Sequence, residues 1–95
     1  MSKKEAYQQK VEAQLDEWKA DIDKLKSKAD QANASAQVEY YEQIEQLKTK
    51  QEAVSSKFEE LRNSSDDAWS DVKSGLELAK ESLSEAMDSA SKRFR

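Results

Sequence analysis

Apolar residues recur in steps of four and three along the first two-thirds of this chain. Val11, Leu15, Trp18, Ile22, Leu25, Ala29, Ala32 and Ala36 form one such series. That spacing keeps side chains on a single stripe of an α-helix and, sustained over several heptads, marks a coiled-coil seam. Beyond Ala36 the steps to Tyr40 and Ile44 are both four before Leu47 restores a three, a stutter that locally relaxes left-handed supercoiling. The stripe then crosses Gln51 and resumes at Val54, Phe58 and Leu61. A polar residue at Gln51 reads either as a register device or as a partly open stretch of seam.

Ser2 followed by Glu5 has the form of a capping box and predicts a helix start near residue 3. The next clear break is Asn63-Ser64-Ser65-Asp66-Asp67. These residues favour caps or turns, and Ser64 or Ser65 with the acidic pair suits the positive end of a new helix. A second stripe follows through Ala68 or Trp69, Val72, Leu76, Ala79, Leu83, Ala86 and Ala90, with Met87 beside it. Gly75 lies within this stretch and costs about 1 kcal/mol of helix propensity relative to Ala. It reads equally as a weak spot on an exposed face or as a site of close helix contact.

Residues 31–37, Gln-Ala-Asn-Ala-Ser-Ala-Gln, admit two readings. As a turn they give three helices of about 3–31, 36–62 and 66–93 folded as a monomeric bundle. As helix they give one rod of about 3–62, roughly 90 Å long at 1.5 Å per residue, with a shorter antiparallel helix of about 66–93. Alanine and glutamine favour helix, no glycine is present to terminate one, and neither Asn33 nor Ser35 has Glu or Gln three residues on. The continuous helix is therefore the expectation. It leaves the seam Val11, Leu15, Trp18, Ile22, Leu25, Ala29, Ala32 and Ala36 without cover, so these residues are expected to be an interface in an antiparallel homodimer centred near Ala32–Ala36, with three-helix packing in each half.

Composition supports an all-α fold of a single helical domain over 1–95 with a turn at 63–67. The chain has no Pro and one Gly, and 38% of its residues are charged, whereas a sheet with tight turns needs Pro, Gly and β-branched residues. Sixteen basic against 20 acidic residues give a net charge of −4, spread evenly enough to provide no strong field for nucleic acid. No apolar run approaches a membrane span. The expected location is the cytoplasm.

Candidate chemistry is sparse. His and Cys are both absent, which removes the usual bases, nucleophiles and zinc ligands. Acidic residues often precede a basic one by three: Asp16 and Lys19, Asp21 and Lys24, Asp23 and Lys26, Glu45 and Lys48, Glu59 and Arg62, Glu77 and Lys80. That pattern is ordinary helix support. The expectation is no enzyme, cofactor or metal. The basic clusters Lys24, Lys26, Lys28 and Lys92, Arg93, Arg95 are too diluted or too short for a nucleic-acid surface. Trp18 and Trp69 are expected in the core, Tyr40 across the stutter and Tyr41 flanking or exposed. A membrane surface is the weaker alternative partner, through Leu76, Leu78, Leu83, Met87 and Phe94 of the last helix, whose polar face carries Glu77, Glu81, Glu85 and Asp88.

The stretch Asp66-Asp67-Ala68-Trp69-Ser70-Asp71-Val72-Lys73-Ser74-Gly75-Leu76, preceded by Val38-Glu39-Tyr40-Tyr41-Glu42-Gln43-Ile44-Glu45-Gln46-Leu47, resembles small bacterial coiled-coil proteins of unknown function found in cyanobacteria and proteobacteria. Some of these are described as stress-related, and they loosely resemble apolipoprotein-type amphipathic repeats. The resemblance implies a helical assembly and no catalytic or binding residue. Residues and resemblance together lead to the expectation of a non-catalytic structural or protein-interaction module, with lipid-surface binding as the alternative.

Overall fold

Ser2 sits in extended conformation and its Oγ accepts a hydrogen bond from the Glu5 N–H at 3.1 Å. This satisfies one of the donors a helix N-terminus leaves unpaired and starts α1, Lys3–Gln31. The computed structural model describes residues 2–94 and contains two further helices, α2 (Ala34–Arg62) and α3 (Trp69–Arg93). They run up, down and up in a bundle 51 Å long and 20 by 18 Å across. Arg95 of the C-terminal basic cluster lies outside the described residues.

The continuous helix over 3–62 does not form. Ala32 and Asn33 are extended, with ψ of 162° and 163°, and they turn the chain back on itself. The Asn33 carboxamide caps α2 by accepting from the Ala36 N–H at 3.0 Å, a bond that asparagine makes without the Glu or Gln of a full capping box. Ala32 N–H closes the last turn of α1 onto the Ala29 carbonyl at 3.1 Å. Across the turn, Gln37 Nε2 donates to the Asp30 carbonyl at 3.2 Å and the Tyr41 hydroxyl donates to the Asp30 carboxylate. Tertiary packing supplies the larger gain. Folding back covers Val11, Ile22, Leu25 and Ala29 within the same chain, and a fully buried Val, Leu or Ile contributes about 1.5–3 kcal/mol.

The second turn begins after Asn63. The Ser65 Oγ accepts from Ala68 N–H at 3.2 Å, and the Ser65 carbonyl accepts from Trp69 N–H at 3.1 Å. Ser65 thus does the work of an N-cap although the regular helix starts at Trp69 rather than at residue 66. No described residue other than glycine has positive φ, and Gly75 does not either. Both turns are therefore made from ordinary right-handed and extended backbone, which is how a chain with no Pro and one Gly reverses twice.

Between the turns the core is a single cluster. Ile44, Leu47, Val54, Phe58 and Leu61 of α2 meet Tyr7, Val11, Ile22, Leu25 and Ala29 of α1 and Leu76, Leu83, Met87, Ala90 and Phe94 of α3. Backbones approach most closely between α2 and each of its neighbours, so α2 is the central support. Leu15, Trp18, Tyr40, Trp69, Val72, Ala79 and Ala86 line the edge of the cluster, half-buried, and Gln51 is likewise half-buried. Gly75 marks no close backbone contact. A Cβ there would lie 3.9 Å from the Cδ, Cε and Nζ of Lys57, ordinary van der Waals separation.

Candidate functional site

The main polar constellation lies where the first turns of α1 face α3. Tyr7 stands four residues before Val11 and so continues the α1 seam by one turn. Its ring is buried at 8% exposure and tilts against Trp69 with centroids 6.1 Å apart. Its hydroxyl donates to Glu77 Oε1. That same oxygen receives Lys80 Nζ at 3.3 Å. Lys80 occupies a seam position of α3, four after Leu76 and three before Leu83, and only 6% of it is exposed. The aliphatic stem packs while the ammonium reaches Glu77, 5.4 Å from the Tyr7 ring centroid. Lys73 adds a second ammonium, 4.9 Å from the Tyr7 centroid and 5.7 Å from that of Trp69.

Burial raises the Tyr7 phenol above its ordinary range, and the hydrogen bond to Glu77 and the charge of that carboxylate push it the same way. Glu77 is held below its ordinary value chiefly by the Tyr7 hydrogen bond. Desolvation opposes this, and Lys80 and the nearby charge of Lys10 reinforce it. General acid–base catalysis works best with a group that titrates near the operating pH. Here the phenol moves up and the carboxylate down, so both keep one protonation state through neutrality. The arrangement suits a charged clamp joining α1 to α3 better than proton transfer.

Below the clamp an open cleft runs between α1 and α3, lined by Lys10, Gln14, Trp18, Glu77, Lys80, Glu81 and Ser84. Gln14 Oε1 is buried there without a hydrogen-bond partner. A second shallow cleft between α2 and α3 contains Gln43, whose Nε2 is likewise unpaired. At the opposite pole Tyr40 stacks on Phe94 with centroids 4.2 Å apart, beside Ala32. Among the described residues, no three His, Cys, Asp or Glu side chains lie together in a group that could hold a metal ion. Among the described residues, no helix is long and apolar enough to cross a membrane.

Six of the eight residues expected to form an interface share one face of α1, which turns towards the chain's own α2 and α3, whereas Ala32 caps that helix and Ala36 lies in the first turn of α2. Val11, Ile22, Leu25 and Ala29 are buried, Leu15 and Trp18 pack half-buried against the core, and Ala32 and Ala36 are half-buried at the turn. Of the expected ion pairs, Glu59–Arg62 at 2.9 Å and Glu77–Lys80 at 3.3 Å form, joined by Lys57–Glu60 and Asp88–Lys92. Glu77–Lys80 is more than helix support, because Lys80 is buried and Tyr7 completes it. Tyr41 is on the surface as expected, and Lys24, Lys26 and Lys28 are exposed. Tyr7 and Phe94 were legible as core, each lying one four-residue step beyond the end of a seam. The same spacing puts Lys80 on the buried stripe, four after Leu76 and three before Leu83, and the charge of a residue type that is ordinarily solvated masks that signal. Compared with known protein families, with curated proteins and with solved structures, the chain matches none.

Proposed function

We propose that this chain is a non-catalytic structural or interaction module that acts through its helical surfaces and pairs with a second copy of itself in antiparallel fashion. The observation that carries the reading is the Tyr7–Glu77–Lys80 clamp. The most elaborate polar group among the described residues ties two helices together and holds its acid and its phenol away from neutrality. The open cleft beside it, with the unpaired Gln14 oxygen and half-buried Trp18, supports contact with other protein better than capture of a small molecule, since ligand sites for small molecules are typically enclosed and largely apolar. A stress-related role belongs to this proposal only through the resemblance of residues 38–47 and 66–76.

Sedimentation equilibrium across rising protein concentration tests the reading. A mass that climbs from 10.9 kDa towards twice that value is expected, and a constant monomer mass at every concentration overturns the self-pairing. Tryptophan fluorescence with anionic vesicles is run alongside. No spectral shift is expected, and a blue shift of Trp18 and Trp69 emission would replace this reading with lipid-surface binding.

A further inference from the structure

We infer that two copies pair by reciprocal exchange of α1, with Ala32 and Asn33 as the hinge. The inference rests on the self-pairing proposed above and specifies how it is built. The two hinge residues have φ of −78° and −70°, already in the helical range, and only their ψ angles, 162° and 163°, are extended. Rotating those two ψ angles to about −42° gives α-helical backbone and fuses α1 and α2 into one helix from Lys3 to Arg62. Nothing at the hinge opposes this: it contains no Pro, no Gly and no positive φ. The closed turn is held by surface bonds, the Asn33 cap on Ala36 and the Gln37 and Tyr41 contacts to Asp30, all of them exposed. Straightening gives up that cap but supplies helical partners for carbonyls at the end of α1 and N–H groups at the start of α2 that a helix end leaves unpaired.

The exchanged form keeps the interfaces of the bundle. α1 and α2 are antiparallel neighbours joined by a tight turn, so two straightened chains laid antiparallel about Ala32–Asn33 place α1 of each copy on α2 of the other. The pairing register is the one seen within the single chain. α3 still folds back on its own α2, and the Tyr7–Glu77–Lys80 clamp then forms between copies instead of within one. The residues that would cross at the centre, Ala29, Ala32, Ala34 and Ala36, are small enough for close approach. A two-fold pair made in this way is a low-cost route to a dimer, because the contacts already exist in the monomer.

Spin labels on Gln9→Cys and Ser56→Cys test this, since both positions are exposed and the chain has no other Cys. In the closed chain both labels lie at the same pole, near the Lys4–Ser64 contact. In the exchanged chain they are separated along one helix by about 70 Å at 1.5 Å per residue. Doubly labelled chain is refolded with an excess of unlabelled chain, the dimer fraction is isolated, and the intrachain distance is measured by pulsed electron paramagnetic resonance. A long distance in the dimer is expected. A dimer that keeps the short distance overturns the exchange and leaves self-pairing standing, whereas a chain that stays monomeric overturns both.

Two hinge variants give independent readouts. Ala34→Pro places proline at the first residue of α2, where the closed turn accepts it and a continuous helix does not; it is expected to keep monomer helicity and lower the dimer association constant by at least ~100-fold. Asn33→Ala removes the cap from the closed form alone and is expected to raise that constant roughly tenfold or more. An unchanged dimer constant in either variant overturns the assignment of the hinge.

Discussion

Replacing Gly75 with Ala is expected to stabilise the protein, and the size of the gain follows from three observations. Gly75 lies in the interior of α3, where glycine costs about 0.8–1 kcal/mol relative to alanine through lost backbone entropy. Its φ is not positive, so an L side chain meets no backbone strain. The added methyl would stand 3.9 Å from the end of the Lys57 side chain, a comfortable contact with a flexible group. The sum is a gain of about 1 kcal/mol, which for a domain of this size raises Tm by about 4–8 °C. Circular dichroism followed through thermal and urea unfolding measures it, with the midpoint expected to rise and the m-value to stay constant. Failure to gain stability, or a loss, would refute the claim that the space beside Gly75 is open and would point to a backbone or a second chain packed closely against that face.

Other substitutions probe the core and the clamp. Leu83→Ala, at a fully buried position, is expected to cost about 2–5 kcal/mol, while Leu78→Ala, 69% exposed, should stay within about 0.5 kcal/mol; urea midpoints of equal cost would disprove the assigned faces of α3. Tyr7 predicts an alkaline limb. Its phenol is raised above the ordinary value of 10.0, so above that pH the unfolded chain loses a proton that the folded chain keeps, and stability falls at up to about 1.4 kcal/mol per pH unit. Tyr7→Phe should flatten this limb relative to the parent protein, and two parallel pH profiles would exclude the clamp as its source. Glu77 acts at the other end of the scale. Its folded value is lowered, so its contribution is fully present above the ordinary carboxylate range and is lost as pH falls from there through the lowered folded value. Glu77→Gln should therefore reduce the acid dependence of unfolding, which denaturant titrations at stepped pH would show.

The seams were legible because helical periodicity reports which residues face inward, and Val11 to Leu25, Ile44 to Leu61 and Leu76 to Ala90 all lie on buried faces. What periodicity does not report is the neighbour that each face meets. The Val11–Ala36 stripe reads the same whether its cover is another chain or the next helix, and the choice rested on a few residues near 33. There the cap of a single asparagine and the burial gained by folding back outweighed the helix propensity of three alanines. The clamp was hidden for a related reason. Lys80 and Glu77 look like any charged pair three residues apart, and only the approach of Tyr7 from a different helix takes them out of that class.

An odd number of antiparallel helices has a mechanical consequence. Lys4 contacts the carbonyl of Ser64 at one pole, and Phe94 stacks on Tyr40 at the other, so the first and last helices leave the molecule at opposite ends of its 51 Å axis. Tension applied through those ends runs parallel to the helix interfaces and loads them in shear. The seams would then resist together along their length, where a pull from one pole would peel them apart turn by turn. Pulled from both ends, the bundle would act as a tie, with a lifetime under load set by the rate at which whole interfaces slip.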